Sequence, residues 1–480
     1  MLQNSGVSGN DVFVELMQGD HVLTSTLHLS HDIHGSVTFR AYRGQEVHVI
    51  GGPRIPSKNF NHVTDSHALK LLPAPSVSKV LEVNLTQMGI TDLGQIRRTS
   101  FNHKTPASLE VSVNGSPFRL ARWPNQGYMN IKSTPDGNKG KRITYNVTDN
   151  RDTRCRGWAD ATLDIQDVDH HTHTITLAAL ENHGVCIGHY GDPNTFDQGG
   201  YFRVINMLSE LDTPGEYYVD RNSKKLYLWS NTPQQTLTSS DRVYVSLLDD
   251  CIRIESNVHN VHFEGFTLES CRYYGFNLVN GNKVTFRNLE IKNIGSYAIN
   301  CETDCRSVTL MESEIHDTTG GIWIGGGDRV TLTSSDNVIR DNHIHDYSRL
   351  TGNVGDAVRV STGVNTKVLY NNIHNGAYTG IRFSGNDHVI QNNHVHHVCQ
   401  DSSDCGAIHS NGHYTYRGNV IEKNYVHHVL HSVPGPDNRG VMLDDEMSSV
   451  TARYNVFYDL PFPAVLGTAA TMVRRCSKMP

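Results

Sequence analysis

The chain has 480 residues, of which 37% are hydrophobic and 19% charged, and its formal net charge is −7. This length allows two or three domains or one long repetitive body, and the composition excludes a chain that is disordered throughout. The small net charge gives no electrostatic basis for nucleic-acid binding, and the sequence contains no apolar stretch of about 18 residues to form a membrane-spanning helix.

Residues 1–55 predict the first coils of a repetitive β-structure. Residues 11–52 include short runs in which apolar and polar side chains alternate, such as VTFRAYRGQEVHVIGG, a pattern typical of strands. The first 30 residues contain no charged segment followed by an apolar one, so no secretory signal peptide is visible. This leaves two alternatives, a cytosolic protein or a chain whose start is missing.

Residues 56–245 interrupt the repetitive pattern. They contain an irregular β-rich mixture that includes LARWPNQGY (120–128) and ELDTPGEYYVDRNSKKLYLWS (210–230). The second segment predicts a hairpin that turns at Asn222 and Ser223. We interpret the region as a β-rich insertion between the first coils and the main stack.

Residues 246–460 contain an internal repeat. In successive units an Asn is followed, after one residue, by an apolar residue and then by His or Tyr, as in NVIRDNHIHD and HVIQNNHVHH. A second strand lies between these copies, and its inward residues are predicted to be Ile299, Ile322, Val358, Ile381, Ile408 and Val441. Their steps of 23, 36, 23, 27 and 33 residues fit a coil of about three strands with insertions. The pattern predicts an all-β protein, a right-handed parallel β-helix.

Residues 461–480, PFPAVLGTAATMVRRCSKMP, show neither the repeat nor an amphipathic cap. An uncovered end of a β-helix would expose a sheet edge and core side chains. We therefore expect an irregular tail and a chain that is truncated at its C-terminus, with its N-terminus open to the same interpretation.

The 28 histidines and nine cysteines raise the question of a metal site. Histidines follow the same apolar residue in successive units, so their rings should stack about 4.8 Å apart; they are His316, His345, His374, His396 and His427. Such a ladder lacks the convergent ligands that zinc requires, and the cysteines form no CxxC pair. We expect a structural ladder beside a ladder of Asn, a few disulfides, and no bound metal.

The second strand presents a varied row of side chains outward. This row consists of Asn300, Trp323, Arg359, Arg382, His409 and Met442. Aromatic rings stack on sugar faces and guanidinium groups bind hydroxyls or carboxylates, so the row suits an oligosaccharide. A solvated sheet face would also be polar, and that alternative remains open.

Acidic residues cluster on the two coils after Arg382. They are Asp401, Asp404, Asp444, Asp445 and Glu446. Paired carboxylates are the minimal equipment for glycoside hydrolysis, and neighbouring acids raise each other's pKa, which keeps one of them protonated. Acids are also common in loops, so their spacing alone leaves catalysis open.

The segments DCGAIHSNGHYTYRGNVIEKNYVHH and RGVMLDDEMSSVTARYNVF resemble the Asp-x-Gly-Ala-Ile and Leu-Asp-Asp segments of bacterial β-helix proteins similar to glycoside hydrolase family 141. The N-terminal segments VTFRAYRGQEVHVIGG and LARWPNQGY resemble the first half of that family. The resemblance implies a pectin-lyase-like solenoid and an extracellular or periplasmic enzyme with fucosidase-like or xylanase-like activity on plant or complex glycans. It also implies that Asp404 and one of Asp444 and Asp445 are the catalytic acids.

Several positions depart from the family pattern. Tyr414 and Tyr416 stand where the family has Trp, His409 stands where Tyr is usual, and Glu446 replaces a Gly. These changes affect residues expected to contact substrate, so they put the identity of the sugar in question more than the acid pair.

The sequence supports three hypotheses about function. Each assumes a monomeric protein that binds an oligo- or polysaccharide. The first is a cofactor-free glycosidase with Asp404 and Asp445 or Asp444 as catalytic residues. Its sugar contacts would be Trp323, Arg359, Arg382, His409, Tyr414 and Arg417. The second is a polysaccharide lyase or uronate epimerase, in which Lys or Arg abstracts a proton beside a carboxylate neutralised by Ca²⁺ or a second Arg. The third is a non-catalytic glycan-binding protein.

Overall fold

The structure is a computed structural model, and it describes residues 11–31, 35–96, 108–137, 140–145, 162–179, 201–350, 355–432 and 437–467. The chain divides into two compact units. We call Met1–Gly52 together with Leu248–Pro480 the β-helix unit, and Pro53–Leu247 the inserted unit. In chain order, the inserted unit separates the second and third strands of the second coil.

The β-helix unit consists of three parallel sheets, here called sheets 1, 2 and 3. Sheet 1 contains Val12–Leu16, Val37–Ala41, His259–Glu264, Asn282–Arg287, Thr309–Met311, Val338–Arg340, Lys367–Leu369, Val389–Gln391, Val420–Glu422 and Thr451–Arg453. Sheet 2 contains Gly19–Val22, Val47–Ile50, Thr267–Cys271, the first parts of Glu290–Cys301 and Glu314–Ile324, then His343–His345, Asn372–His374, His394–Val398, Tyr425–Val429 and Val456–Tyr458.

Sheet 3 contains Leu27–Leu29, Asp250–Ile254, Tyr274–Leu278, the last parts of Glu290–Cys301 and Glu314–Ile324, then Val358–Val364, Ile381–Asn386, Gly406–Gly412, Arg439–Asp445 and Val465–Gly467. Each coil contributes one strand to each sheet, so the described residues form ten coils. The third strand of the tenth coil, Val465–Gly467, lies in the segment expected to be an irregular tail; residues 468–480 lie outside the described residues.

The core of the β-helix unit consists of apolar side chains stacked from coil to coil. The six predicted inward residues of sheet 3 are all buried, which confirms their assignment. On sheet 2 the equivalent column contains Ile344, Ile373, Val395 and Val426, each also buried. One coil cannot bury its own apolar face, so each of these side chains depends on the coils next to it.

A ladder of Asn side chains lies where sheet 1 turns into sheet 2. From Asn342 through Asn371, Asn393 and Asn424 to Asn455, each Nδ2 donates to the Oδ1 of the next coil at 2.9–3.0 Å. The residue before each Asn has a φ of 56–58°, so the chain turns there in the left-handed region. The ladder therefore supplies hydrogen bonds to backbone groups that a turn leaves without strand partners.

The predicted histidine ladder is present on the outward face of sheet 2. Successive ring centroids from His316 to His427 lie 5.0, 5.1, 4.7 and 4.9 Å apart, and successive rings are within 13° of parallel. This spacing is that of neighbouring strands, and it confirms the predicted stacking.

Three disulfides join Cys251 to Cys271, Cys301 to Cys305, and Cys399 to Cys405. The remaining cysteines, Cys155, Cys186 and Cys476, lie outside the described residues. All three bridges belong to the β-helix unit, and the third one closes a loop that precedes a strand of sheet 3.

The inserted unit is built mainly of antiparallel strands. One sheet contains Arg119–Leu120, Glu216–Asp220, Lys225–Trp229, Val80–Asn84 and Asn61–His62; another contains Ser116–Pro117, Val111–Val113, Val243–Val245 and Arg54–Ile55. A third contains Ile165–Asp169, Thr174–Leu177, Arg142–Tyr145, Met129–Ser133 and Tyr201–Phe202, and Arg122–Trp123 pairs with Val204–Ile205. The hairpin of Glu216–Asp220 and Lys225–Trp229 reverses at residues 221–224, where the sequence predicts a turn.

Helical structure is limited to short segments in the described part of the chain. The α-helix is Ser66–Leu71, and Asp65 caps it by accepting a hydrogen bond from the backbone N–H of Ala68 at 2.7 Å. The 3₁₀ segments are Tyr42–Gly44, Ser57–Asn59, Thr86–Met88 and Leu208–Glu210. None of these described helices is long and apolar enough to cross a membrane.

Candidate active site

Asp404 lies in a short loop that leads into the sheet 3 strand Gly406–Gly412. The disulfide between Cys399 and Cys405 closes this loop. Asn438 of the next coil accepts a hydrogen bond from the backbone N–H of Cys405 at 3.0 Å and donates one to the carbonyl of Ser402 at 2.8 Å. The loop is therefore held on both sides of Asp404 by covalent and hydrogen-bonded contacts.

The environment of Asp404 favours its protonated form. Burial, together with the negative charges of Asp444 and Asp445, raises the pKa of Asp404 to about 6, and Arg382 opposes this shift. An isolated Asp has a pKa near 3.9. The Asp404 carboxyl therefore keeps its proton into the weakly acidic range, as a general acid must.

Asp444 and Asp445 end the strand Arg439–Asp445 on the following coil. Asp444 is half-buried, and its Oδ1 accepts a hydrogen bond from the backbone N–H of Asp445 at 2.8 Å. Asp445 is exposed, and partial burial together with the charges of Asp444 and Glu446 raises its pKa. The structure thus brings the three predicted catalytic aspartates within electrostatic reach of one another, with Asp444 exerting the larger effect on Asp404.

A buried charge network lies on sheet 3 beside these acids. Asp356 is 1% exposed, and it accepts a hydrogen bond from Nε of Arg382 at 3.2 Å. The guanidinium of Arg382 also donates to the hydroxyl of Tyr378 at 2.5 Å, and Arg359 lies 4.0 Å from the second carboxylate oxygen of Asp356. A carboxylate in this position needs such partners, because an unpaired charge would be costly to bury.

Two members of the row predicted to face outward and contact sugar, Arg382 and His409, are buried. Arg382 is 8% exposed and His409 3% exposed. Burial, together with the charge of Arg382, holds the pKa of His409 well below its usual value, so its ring is neutral. The physical reason is the buried carboxylate of Asp356, which requires a cation at the same depth. Arg382 is therefore a positioning residue for the network.

Trp323 and Arg359 are half-buried and pack against each other. The guanidinium carbon of Arg359 lies 4.3 Å from the centre of the Trp323 ring, and the indole N–H of Trp323 donates to the hydroxyl of Ser361. The ring of Tyr297 lies 5.4 Å from Trp323 on a neighbouring coil. These contacts fix the orientation of both predicted sugar-contact side chains.

Tyr414 and Arg417 lie in the turn after the strand Gly406–Gly412 and are exposed; Tyr414 retains 62% of its accessible surface. The ring of His413 packs on Tyr414 at 4.4 Å. Ser448, just beyond Asp445, donates a hydrogen bond to the Tyr414 carbonyl at 2.9 Å. This turn therefore contacts the loop that follows the aspartate pair.

Two members of the site, Asp356 and Tyr378, were missed by the sequence pattern. Each lies just before an inward residue, Asp356 two positions before Val358 and Tyr378 three positions before Ile381. The predicted outward row included only side chains that follow the inward residue of each strand. An acid that begins a strand next to a row of outward arginines was the available signal.

The chain's likeness to known proteins concerns its fold. A family model described as "Right handed beta helix region" matches residues 236–351. A solved structure described as "Glycoside hydrolase" has a TM-score of 0.68 at 12% identity, covering 96% of this chain and 88% of that chain. The complex of XylC with xylose is 11% identical, with a TM-score of 0.49 and coverage of 93% and 65%. No curated protein sequence matches this chain.

This protein is a right-handed parallel β-helix. The family match, residues 236–351, overlaps the first part of the repetitive region, and the alignment with the TM-score of 0.68 covers 96% of the chain. Together they confirm the predicted fold class. At 12% identity, the likeness to the structure with the TM-score of 0.68 establishes architecture alone. The chemistry must be argued from the residues themselves.

Proposed function

We propose that this β-helix protein is a glycoside hydrolase in which Asp404 is the general acid. The observation that supports this most directly is the pKa of about 6 at Asp404, raised by burial and by the charges of Asp444 and Asp445. One carboxyl that stays protonated beside others that are ionised is the division of roles that hydrolysis of a glycosidic bond requires.

In the proposed reaction, the Asp404 carboxyl transfers its proton to the glycosidic oxygen as the bond to the anomeric carbon breaks. The second carboxylate, from Asp444 or Asp445, either attacks that carbon or removes a proton from the water that does. Asp404 is left as a carboxylate. In the nucleophilic route it regains its proton from the water that hydrolyses the glycosyl-enzyme bond; in the general-base route the second carboxyl keeps the proton of the attacking water, and both groups return to their starting states by exchange with solvent. No cofactor enters this scheme.

We propose a complex or plant glycan as substrate, with fucosidase-like or xylanase-like cleavage as the two candidate activities. The exposed ring of Tyr414 and the paired Trp323 and Arg359 offer stacking surfaces and fork donors to a sugar chain. Disulfides form and persist mainly in oxidising compartments, and the described part of this protein has three. We therefore propose that the protein acts outside the cytoplasm. The "Glycoside hydrolase" description of the neighbour with the TM-score of 0.68 agrees with this proposal.

The arginines favour hydrolysis over the lyase or epimerase alternative. Burial would lower the pKa of Arg382, but the Tyr378 hydroxyl and the Asp356 carboxylate outweigh it, and the net pKa is raised. The pKa of Arg359 is raised in a similar way, against burial, by Tyr297 and Asp356. An arginine that holds its proton this firmly is a poor base for abstracting a proton from a uronate.

The test is a panel of plant and complex glycans incubated with the purified protein, with reducing ends and absorbance of unsaturated uronates measured together. New reducing ends without absorbance support hydrolysis. Absorbance would instead indicate a lyase, and binding without either product would indicate a non-catalytic glycan-binding protein.

Asp404→Asn then tests the acid assignment. We expect hydrolysis of the responsive glycan to fall about 10²- to 10⁴-fold, because the leaving oxygen loses its proton donor. Asp401→Asn, which removes a carboxylate from the same disulfide-closed loop, is the matched control and should retain most activity. Equal losses in the two variants, or full activity in Asp404→Asn, would reject Asp404 as the acid.

A further inference from the structure

A second cluster of functional groups lies on sheet 2, where the fifth coil meets the sixth. Ligand atoms of Glu314, His343 and His345 all lie within 4.8 Å of one another. Oε1 of Glu314 is 3.3 Å from Nδ1 of His343 and 3.2 Å from Nε2 of His345. The side chains of Glu314 and His343 are partly exposed, so solvent reaches the cluster.

Hydrogen bonds on the far side of both rings decide what the near side presents. Nδ1 of His345 lies 2.6 Å from a carboxylate oxygen of Asp346, so that nitrogen is the donor. Nε2 of His343 lies 2.7 Å from Nε2 of His374, and with His343 as donor its Nδ1 has a free lone pair. Three electron pairs, two from nitrogen and one from oxygen, then face the same point. A cation bound between them would offset the mutual repulsion of these electron pairs. In the other tautomer His374 is the donor, and Nδ1–H of His343 donates to Glu314 instead.

The two distances from Glu314 to the histidine nitrogens fit a tetrahedral metal ion, and the two nitrogens lie within 4.8 Å of each other. Zinc binds His nitrogen at about 2.0–2.1 Å and carboxylate oxygen at about 2.0–2.2 Å, which places tetrahedral ligands about 3.3 Å apart. The two distances from Glu314 Oε1 are 3.3 and 3.2 Å. We propose that Glu314, His343 and His345 form a Zn²⁺ site that joins the fifth and sixth coils, with water completing the coordination.

The surroundings provide the outer contacts that metal-binding histidines usually have. Asp346 holds the ring of His345 and His374 holds the ring of His343, in each case through the nitrogen that faces away from the metal. Partners of this kind fix the tautomer and orientation of a ligand, and their loss typically weakens metal binding about 10- to 100-fold.

The adjoining groove favours a cation. Glu314 and His343 lie in the wall of a groove of about 520 Å³ that has five carboxylates in its lining and no Lys or Arg. Three of these carboxylates, Glu290, Glu312 and Asp341, are paired with Lys292, Arg287 and Arg340. The other two, Glu46 and Glu314, lie beside histidines, His48 for Glu46 and His343 and His345 for Glu314. When these rings are neutral the lining is anionic, which raises the local concentration of divalent cations.

The chain contains its own control for this site. His394, His396 and His427 repeat the arrangement of His343, His345 and His374, with ring centroids of the first two 4.3 Å apart in both sets and a 2.7 Å contact between Nε2 atoms in both. The residue below His343 in the stack is Glu314, whereas the residue below His394 is Asn372. The second set therefore has the rings without the anionic ligand.

The experiment uses untagged full-length protein treated with EDTA and then titrated with Zn²⁺ in a calorimeter, with the thermal unfolding midpoint measured in parallel. We expect one tight equivalent and a rise in the midpoint, because an ion that binds only the folded state stabilises it. Glu314→Gln should weaken that equivalent at least about 100-fold and abolish the rise, since it removes a direct ligand. His394→Ala should retain both.

Circular dichroism of Glu314→Gln checks that the variant is folded, as expected for a partly exposed side chain. The proposal fails if this folded variant binds Zn²⁺ as tightly as the unaltered protein, or if His394→Ala loses as much affinity. It also fails if the unaltered protein binds no Zn²⁺, which would mean that a proton is the cation between the three groups.

Discussion

Sheets 2 and 3 arise from the same coils but present opposite kinds of outward surface. From the fifth coil to the ninth, one outward column of sheet 2 is histidine at every level. The corresponding column of sheet 3 reads Trp323, Arg359, Arg382, His409 and Met442. A column with one residue type at every coil indicates a structural role, because each ring stacks on the next in the same way at every coil. A column in which the residue type varies along the stack has contacts that differ from coil to coil.

The difference extends to energetics. Each inner ring of the histidine ladder stacks on one ring above and one below it, and each of these stacking contacts contributes about 0.5–1.5 kcal/mol. The ion pair of Arg382 with Asp356 occurs on one pair of coils among those that the structure describes, and both groups are buried. We therefore expect substitutions on sheet 3 to be more costly than equivalent ones on sheet 2.

The largest effect on stability should come from Arg382→Gln. Removing the cation leaves the buried carboxylate of Asp356 without its main partner, a change that typically costs about 3–5 kcal/mol. Chemical unfolding followed by circular dichroism measures the loss. The double variant with Asp356→Asn should recover most of it, because the unpaired charge is gone; equal stability of the single and double variants would contradict the role of this pair.

An intermediate effect is expected from Asn393→Ala in the asparagine ladder. The Asn393 side chain accepts from the backbone N–H and side chain of Asn371 and donates to Asn424 and the carbonyl of Val368, all at 2.9–3.0 Å. Leaving these buried groups without partners should cost about 2–4 kcal/mol in the free energy of unfolding.

His396→Ala on the same coil is the comparison for that variant. We expect a loss of about 1–2 kcal/mol, measured by the same unfolding experiment, because the ring is partly solvated and contributes stacking and one hydrogen bond with Nδ1 of His397. A loss as large as that of Asn393→Ala would show that the histidine ladder contributes as much to stability as the asparagine ladder.

The smallest effect concerns the pH dependence of the proposed hydrolysis. Asp404 must be protonated to act as the acid, so kcat/KM should fall as the pH rises through its pKa of about 6. Asp444 and Asp445 raise that pKa. In whichever of Asp444→Asn and Asp445→Asn retains measurable hydrolysis, this alkaline limb should move to lower pH.

Glu446→Gln is the control for the pH experiment. Glu446 raises the pKa of Asp445 and is not among the charges that shift Asp404. The alkaline limb of the kcat/KM profile of Glu446→Gln should therefore lie at the same pH as that of the unaltered protein. A limb that is unchanged in both aspartate variants would contradict the coupling between Asp404 and its neighbours.

Much of the architecture could be predicted because it repeats. Inward residues such as Ile381 and Ile408 recur at the same place in each unit, and in a parallel stack identical positions must lie one strand spacing apart. The stacking of His345 on His374 follows from this rule without any knowledge of the rest of the chain. The placement of Asp404 near Asp444 was predicted from their positions on the two coils after Arg382, whereas their catalytic role was implied by the family resemblance.

The sequence by itself therefore determined which side chains face inward and which rings stack, because both follow from the period of the repeat. Only the tertiary structure decided that Arg382 is buried against Asp356, that burial and two carboxylates raise the pKa of Asp404, and that Glu314 meets His343 and His345. These contacts join different positions on different coils. Their distances depend on how loops and neighbouring columns pack, which a periodic pattern does not encode.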